Sequence, residues 1–247
     1  RLLVHLVLLS FTALFLPRSS SYFVTLPAAP SSLDRPEPLW LQPLTASPLL
    51  TLVWLCAGTT LTVLSWCGSL RAWVFFERVP NAKLDEALMK RWNEGRPNAI
   101  RDAAVATLAS TVVFYIVATF FGAPLATYHL RTVLLSLLIS LLAVCSPAYA
   151  LGLPLHAYPS FSPTDPHYAR WARLFAALSP MPNSAAERHM LFASAGTVLG
   201  AWVGAFPIAL DWDRPWQAWP LTPAFGSIAG YIGGSLVGLA LNVVKSQ

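Results

Sequence analysis

Six long apolar runs constrain how this chain can fold more than any other feature of its sequence. They lie at about residues 2–16, 49–76, 102–121, 132–153, 190–210 and 218–244. Most are near the length of about 20 residues that a helix needs to cross a bilayer. Charged residues make up only 11% of the chain and cluster between the runs, whereas a soluble protein carries about 25%. We therefore predict an all-α, polytopic protein with about six transmembrane helices, in which residues 1–247 form a single integral membrane domain.

The first run, residues 2–16, is the shortest of the six. At about 1.5 Å per residue it reaches only about 22 Å, whereas the hydrocarbon core of a bilayer is about 30 Å thick. Because the chain begins at Arg1, the run is either a trimmed first helix or the apolar part of a signal segment. We favour the helix, because no convincing small-residue cleavage site follows Leu16.

The basic residues predict how the chain is oriented. With six spans, most of the 16 Lys and Arg lie on the side that holds both termini. The positive-inside rule therefore places both termini in the cytosol. Two Pro-rich loops, at 17–48 and 154–188, then lie on opposite sides of the membrane, and the sequence assigns neither of them a role. Topology and lipid headgroups also account for the net charge of +5, so we expect no nucleic-acid partner.

Glycines recur every four residues in each of the last two apolar runs. In a membrane, small residues let helix backbones approach closely, which is one way that helices associate there. Two interpretations stay open, and they are compatible with each other. The stripes could pack the two helices into a tight hairpin, or one stripe could receive a helix of another protein. The predicted helix-packing or partner-binding residues are Gly196, Gly200 and Gly204 in the fifth run and Gly226, Gly230 and Gly234 in the sixth.

A loop rich in tryptophan joins these two runs, and its notable residues are Asp211, Trp212, Asp213, Arg214, Pro215, Trp216 and Trp219. Its tryptophans are typical of the aromatic belt at a membrane boundary. The two aspartates could hold a divalent cation on a phosphate-containing donor, or they could cap a helix or pair with the neighbouring arginine. Two carboxylates alone are too few for a metal site. No other cluster suits catalysis, so we predict no catalytic residue, no metal and no cofactor.

Residues 199–234, LGAWVGAFPIALDWDRPWQAWPLTPAFGSIAGYIGG, resemble the signature region of the class F protein family of glycosylphosphatidylinositol (GPI) anchor biosynthesis. The turn Gly122-Ala123-Pro124-Leu125, after an aromatic-rich span, looks like a second match. The resemblance implies a multi-pass protein of the endoplasmic reticulum membrane with no catalytic activity of its own. Members of this family bind and stabilise the large membrane enzymes that transfer ethanolamine phosphate to mannoses of the GPI precursor.

The expected function is therefore that of a non-catalytic, stabilising subunit of a GPI ethanolamine phosphate transferase complex. Its expected partners are the catalytic subunit, a large multi-pass membrane protein, and membrane lipids. Two alternatives stay open. The chain could be a membrane-embedded transferase that uses Asp211 and Asp213, or it could be a transporter or scramblase that moves GPI precursors between leaflets.

Overall fold

The computed structural model describes residues 1–19, 22, 38–79, 86–124, 127–153, 171–172, 182, 184–210, 212 and 214–245. Regular structure in these residues is entirely helical. Six helical segments are long and apolar enough to cross a membrane: Leu2–Ser19, Pro48–Arg78, Glu86–Phe120, His129–Leu151, Ala185–Ala209 and Leu221–Lys245. The predicted all-α polytopic fold with about six spans is confirmed.

The α-helices are numbered here in chain order. They are α1 (Leu2–Leu14), α2 (Gln42–Thr45), α3 (Pro48–Arg78), α4 (Glu86–Glu94), α5 (Arg96–Phe120), α6 (His129–Ser140), α7 (Ser146–Leu151), α8 (Ala185–Ala205) and α9 (Leu221–Lys245). A π-helical turn, Leu141–Cys145, joins α6 to α7, so these three elements form one span. Short 3-10 turns, Phe206–Ala209 and Pro215–Gln217, lie between α8 and α9.

Two of the spans begin earlier than the sequence predicts. The third was predicted to begin at residue 102, but α5 begins at Arg96 and follows α4 after the single residue Gly95. The fifth was predicted to begin at residue 190, but α8 begins at Ala185. Hydropathy does not detect the charged turns with which these helices extend beyond the apolar run. The other bounds differ from the predicted ones by three residues or fewer.

The span formed by α6, the π-helical turn and α7 lies at the centre of the bundle. It packs against α3, α5 and α8, and Leu138 and Ala143 are completely buried. The hydroxyl group of Ser194 on α8 donates a hydrogen bond of 2.6 Å to the carbonyl oxygen of Ala143 in the π-helical turn. By contrast, α5 and α8 leave much of their length exposed, so they form the outside of the bundle.

The first apolar run forms α1, which packs against α3 and α9. His5 lies 3.1 Å from the hydroxyl of Tyr231 on α9 and stacks on Trp66 of α3, with 5.2 Å between the ring centroids. The rings of His5 and Tyr231 are almost completely buried. Leu3 and Val7 on the opposite face are exposed, as expected for side chains that contact lipid. The structure therefore gives α1 one face toward the bundle and one toward the membrane.

A cluster of hydrogen bonds ties the end of α3 to the start of α8. The carboxylate of Glu77 accepts hydrogen bonds from the main-chain N–H groups of Ala185 (2.7 Å) and Ala186 (3.2 Å) and from the hydroxyl of Ser184 (3.0 Å). The first N–H groups of a helix have no partner within the helix, so Glu77 supplies acceptors from a neighbouring span. The next residue, Arg78, forms an ion pair of 3.2 Å with Glu187, which is buried.

Replacing Glu77 with Ala removes the acceptor for these three hydrogen bonds. We expect the free energy of unfolding to fall by about 1 kcal/mol, the usual effect of losing a helix N-terminal cap. Unfolding of the purified protein in an uncharged detergent, followed by its helical circular dichroism signal, measures this change. Glu86→Ala is the matched control, because Glu86 carries the same charge and is exposed on α4. Equal losses in the two variants would contradict the assigned role of Glu77.

Candidate functional site

The two glycine stripes face each other across α8 and α9, which we call the glycine hairpin. A Cβ atom built on Gly200 would lie 2.9 Å from the Cα of Gly230, and one built on Gly230 would lie 2.9 Å from the Cα of Gly200. Both would also overlap main-chain carbonyl groups of the opposite helix. Only glycine fits at such positions, because real Cβ atoms do not approach a backbone so closely.

The close contact extends along most of the hairpin. A Cβ on Gly204 would lie 2.9 Å from the Cα of Pro223, near the connecting loop. Farther from the loop, a Cβ on Gly196 would lie 3.1 Å from the Cα of Gly234, and one on Gly238 would lie 3.1 Å from the Cα of His189. Helices that approach this closely gain continuous van der Waals contact between their backbones, which is a main source of helix association in lipid.

The sequence left open whether one glycine stripe receives a helix of another protein. The stripes face each other, so each helix covers one side of the other's glycines. Along one edge of the glycine hairpin, Gly196, Gly200, Gly204, Gly226 and Gly230 also line a groove with a volume of about 630 Å³. It is lined by backbone and side chains of α8 and α9, by α2, and by Trp216 of the connecting loop. The groove and the outer face of α8 are two surfaces of the glycine hairpin that another molecule can contact.

The outer face of α8 is aromatic near the connecting loop. Trp202 is 51% exposed and Phe206 is 56% exposed. Their ring centroids lie 5.0 Å apart with an angle of 77° between the planes, an edge-to-face arrangement that is favourable for aromatic pairs. Leu199 and Val203 are also exposed. We call this surface, formed by Leu199, Trp202, Val203 and Phe206, the outer aromatic face.

The connecting loop is held by the side chain of Gln217. Its amide nitrogen donates to the carbonyl oxygens of Pro207 (2.6 Å) and Leu210 (2.7 Å), and its oxygen accepts from the N–H of Arg214 (2.8 Å). The sequence analysis did not select Gln217. A signal was available, because Gln217 is the third residue of a helix that begins at Pro215, and a Gln at this position can accept from the N–H of the N-cap residue, as in a capping box.

The tryptophans of the loop lie in two places. Trp212 and Trp216 contact each other edge to face, with 5.6 Å between their ring centroids. Trp219 instead points toward the bundle, where its indole N–H donates to the hydroxyl of Thr132 on α6 at 3.0 Å. The guanidinium of Arg131 also reaches the carbonyl oxygen of Trp219, at 3.5 Å. The loop is thus joined to the central span and does not only mark a membrane boundary.

Asp211 and Asp213 lie outside the described residues, so their predicted alternatives remain predictions. Within the part of the chain that the structure describes, no group of three His, Cys, Asp or Glu residues could hold a metal ion. The three cysteines, Cys56, Cys67 and Cys145, are free and buried.

The glycine contacts lead to a direct prediction about stability. In Gly230→Ala the new methyl group would overlap the backbone of α8, so we expect a loss of about 2–3 kcal/mol in the free energy of unfolding. Gly233→Ala is the matched control, because a Cβ on Gly233 meets no atom within 4 Å. Alanine is a better helix former than glycine, so the control should be neutral or up to about 1 kcal/mol more stable. Unfolding in detergent measures both, and a stable Gly230→Ala variant would be incompatible with this packing.

Comparison with known proteins agrees with these observations. The sequence model of the GPI biosynthesis protein family Pig-F matches residues 38–239, which include the whole connecting loop and most of the glycine hairpin. Among curated proteins, the chain is 36% identical over 144 residues to glycosylphosphatidylinositol anchor biosynthesis protein 11 of Yarrowia lipolytica. That match covers 58% of this chain and 56% of the relative. No solved structure matches the chain.

Two mammalian relatives carry a more specific name, GPI ethanolamine phosphate transferase, stabilizing subunit. The mouse protein is 31% identical over 133 residues, which are 54% of this chain and 54% of the relative. The human protein is 30% identical over 130 residues, 53% of this chain and 52% of the relative. The chain thus spans about half the length of these curated relatives. Since the family match covers well over half of the chain, the protein belongs to the GPI biosynthesis protein family Pig-F.

Proposed function

We propose that this chain is a non-catalytic, stabilising subunit of a GPI ethanolamine phosphate transferase complex. The observation that carries the proposal is the similarity to the mouse and human proteins, whose names describe a stabilising subunit of that transferase. The chemistry of the described residues is consistent with this role, because their distinctive features are helix contacts and exposed apolar surface. The partner in this proposal is the catalytic subunit, a large multi-pass membrane protein, in contact with the same membrane lipids.

Such a subunit stabilises its partner by binding the folded form and not the unfolded one. Any molecule that does so lowers the fraction of unfolded partner, by an amount that grows with its concentration relative to its dissociation constant. A rigid binding surface suits this task, because it loses little conformational freedom on binding. The glycine hairpin is held at both ends by hydrogen bonds to other spans. It therefore offers a preorganised surface.

We place the contact with the catalytic subunit on the outer aromatic face and the adjoining Trp212 and Trp216. These rings are partly or largely exposed, and tryptophan is enriched among the residues that dominate binding energy at protein interfaces. The outer aromatic face lies on the side of α8 that points away from α9, and its side chains are exposed. A helix of the catalytic subunit could pack along this free side without disturbing the hairpin.

We further propose that the protein resides in the endoplasmic reticulum membrane with both termini in the cytosol. Support for the orientation comes from the excess of Lys and Arg on the side of the termini, as the positive-inside rule requires. The connecting loop between α8 and α9 then faces the lumen.

The interface can be tested with aromatic side chains. We expect Trp202→Ala to weaken binding of the catalytic subunit about thirty-fold, which corresponds to about 2 kcal/mol, and Phe206→Ala to weaken it in the same direction. Phe120→Ala is the matched control, because Phe120 is also an apolar aromatic residue, 86% exposed at the end of α5. Binding is measured by co-purification of the catalytic subunit in mild detergent, together with its steady-state level in cells.

Two outcomes would argue against this proposal. If the catalytic subunit keeps its level and activity in cells without this chain, a stabilising role is wrong. If Phe120→Ala weakens binding as much as Trp202→Ala, the contact does not lie on the outer aromatic face.

The alternative of a membrane-embedded transferase makes a different prediction for the two loop aspartates. As a stabilising subunit, the protein with Asp211→Ala and Asp213→Ala together should assemble with the catalytic subunit and retain ethanolamine phosphate transfer in the complex. Transfer from phosphatidylethanolamine to a GPI precursor in isolated membranes measures activity. Loss of transfer in a fully assembled complex would instead support catalysis by these carboxylates.

A further inference from the structure

Two arginines surround one tryptophan at the membrane boundary opposite the connecting loop. The guanidinium carbon of Arg71, on α3, lies 5.1 Å from the ring centroid of Trp92, on α4. The guanidinium carbon of Arg96, at the start of α5, lies 5.3 Å from the same ring. Three helices thus bring two positive charges to a single aromatic ring, and we call this group the arginine–tryptophan cluster.

Several contacts fix the cluster in place. Phe75 stacks on Trp92, with 5.5 Å between the ring centroids and an angle of 29°. A nitrogen of Arg71, Nη2, donates a hydrogen bond of 2.9 Å to the main-chain oxygen of Trp92. Gly95 allows this approach, because a Cβ on it would lie 3.0 Å from the same nitrogen. The break at Gly95 between α4 and α5 and these contacts therefore hold the side chains of the cluster in place.

Among the residues that the structure describes, no carboxylate pairs with either arginine of the cluster. In the described part of the chain the ion pairs are Arg78 with Glu187 and Arg101 with Asp102, and neither includes Arg71 or Arg96. The second terminal nitrogen of Arg71, Nη1, is shielded from solvent and has no hydrogen-bond partner. Cation–π contacts stabilise each guanidinium, but they do not remove the repulsion between two like charges at one ring. An anion at this position would do so.

The depth of the cluster in the membrane indicates what kind of anion it would meet. Arg71 lies about 35 Å along α3 from Pro48, at about 1.5 Å per residue, which is slightly more than the thickness of about 30 Å of the hydrocarbon core. Pro48 begins α3 at the boundary near the connecting loop, where α2 and Trp216 line the same groove. Arg71 and Arg96 therefore lie at the level of lipid headgroups, where phosphodiester groups are the abundant anions.

We propose that the arginine–tryptophan cluster binds the phosphodiester group of a phospholipid from the leaflet on the side of α4. Arg96 is exposed, whereas Arg71 is half-buried between the rings of Trp92 and Tyr149. The phosphate oxygens therefore bind the guanidinium of Arg96, and the charge of Arg71 behind it attracts them further. Guanidinium groups suit phosphate, because their planar N–H groups match two oxygens at once. The bound lipid neutralises the cluster and fastens α4 to the ends of α3 and α5. This inference is independent of the proposed subunit role.

The test uses the purified chain in an uncharged detergent and native mass spectrometry to count bound lipids. Dioleoylphosphatidylglycerol is the probe, and dioleoylglycerol, which has the same acyl chains and no phosphate, is the comparison. We expect Arg96→Gln to weaken binding of the phospholipid about ten-fold, which corresponds to about 1.4 kcal/mol, and Arg71→Gln about three-fold. Arg91→Gln is the matched control, because Arg91 is an exposed arginine on α4, and it should change affinity less than about two-fold. Binding of dioleoylglycerol should be the same in all variants.

Four results would overturn the proposal. An equal effect of Arg91→Gln would show only a general attraction to positive charge. An equal change in dioleoylglycerol binding would show that the phosphate is not recognised. Displacement of the phospholipid by inorganic phosphate at similar concentration would show a site for free anions. If Arg71→Gln loses its helical circular dichroism signal, Arg96→Gln decides, and an unchanged affinity in that variant rejects the site.

Discussion

The contact between the backbones of α8 and α9 is the constraint on which the rest of this structure depends. Lipid tails are as apolar as most side chains, so burial from water does not drive helices together inside a bilayer. Close van der Waals contact provides the attraction, and it requires that side chains be absent where the helices meet. Gly200 and Gly230 meet this requirement reciprocally. The position of the connecting loop and the direction of the outer aromatic face both follow from it.

Polar contacts then fix the glycine hairpin relative to the other spans. At one end Glu77 on α3 accepts hydrogen bonds from the start of α8, where Arg188 also donates a hydrogen bond of 2.7 Å to Asn242 and so joins α8 to α9. In the middle Ser194 reaches the π-helical turn, and at the loop end Trp219 reaches Thr132. Buried polar groups are costly in a membrane unless they are paired. These pairs specify one arrangement of helices that apolar packing alone would leave less well defined.

The sequence was enough to predict the number of spans, because hydropathy is a local property. The spacing of the glycines indicated close helix packing but left open whether the neighbouring helix belongs to this chain or to another protein. It did not determine which way the glycine stripes face, since that depends on the rotation of each helix. The early start of α8 was missed for a similar reason, because its first turn is completed by Glu77 from another span. Arg71 is 21 positions from Trp92 in the chain, so only the folded structure brings it to Trp92 and Arg96.

The bond between Glu77 and the start of α8 also has a consequence for how the chain can vary. It joins two residues that are 108 positions apart. The segment of chain between them therefore starts and ends at the same place in the bundle. The entropy of closing such a long segment changes only slowly with its length. Insertions or deletions in its connecting loops can therefore accumulate while both anchor points keep their places. The glycine hairpin is in this sense insulated from changes in the length of these loops, but not from changes in the central span, to which Ser194 and Trp219 are bonded.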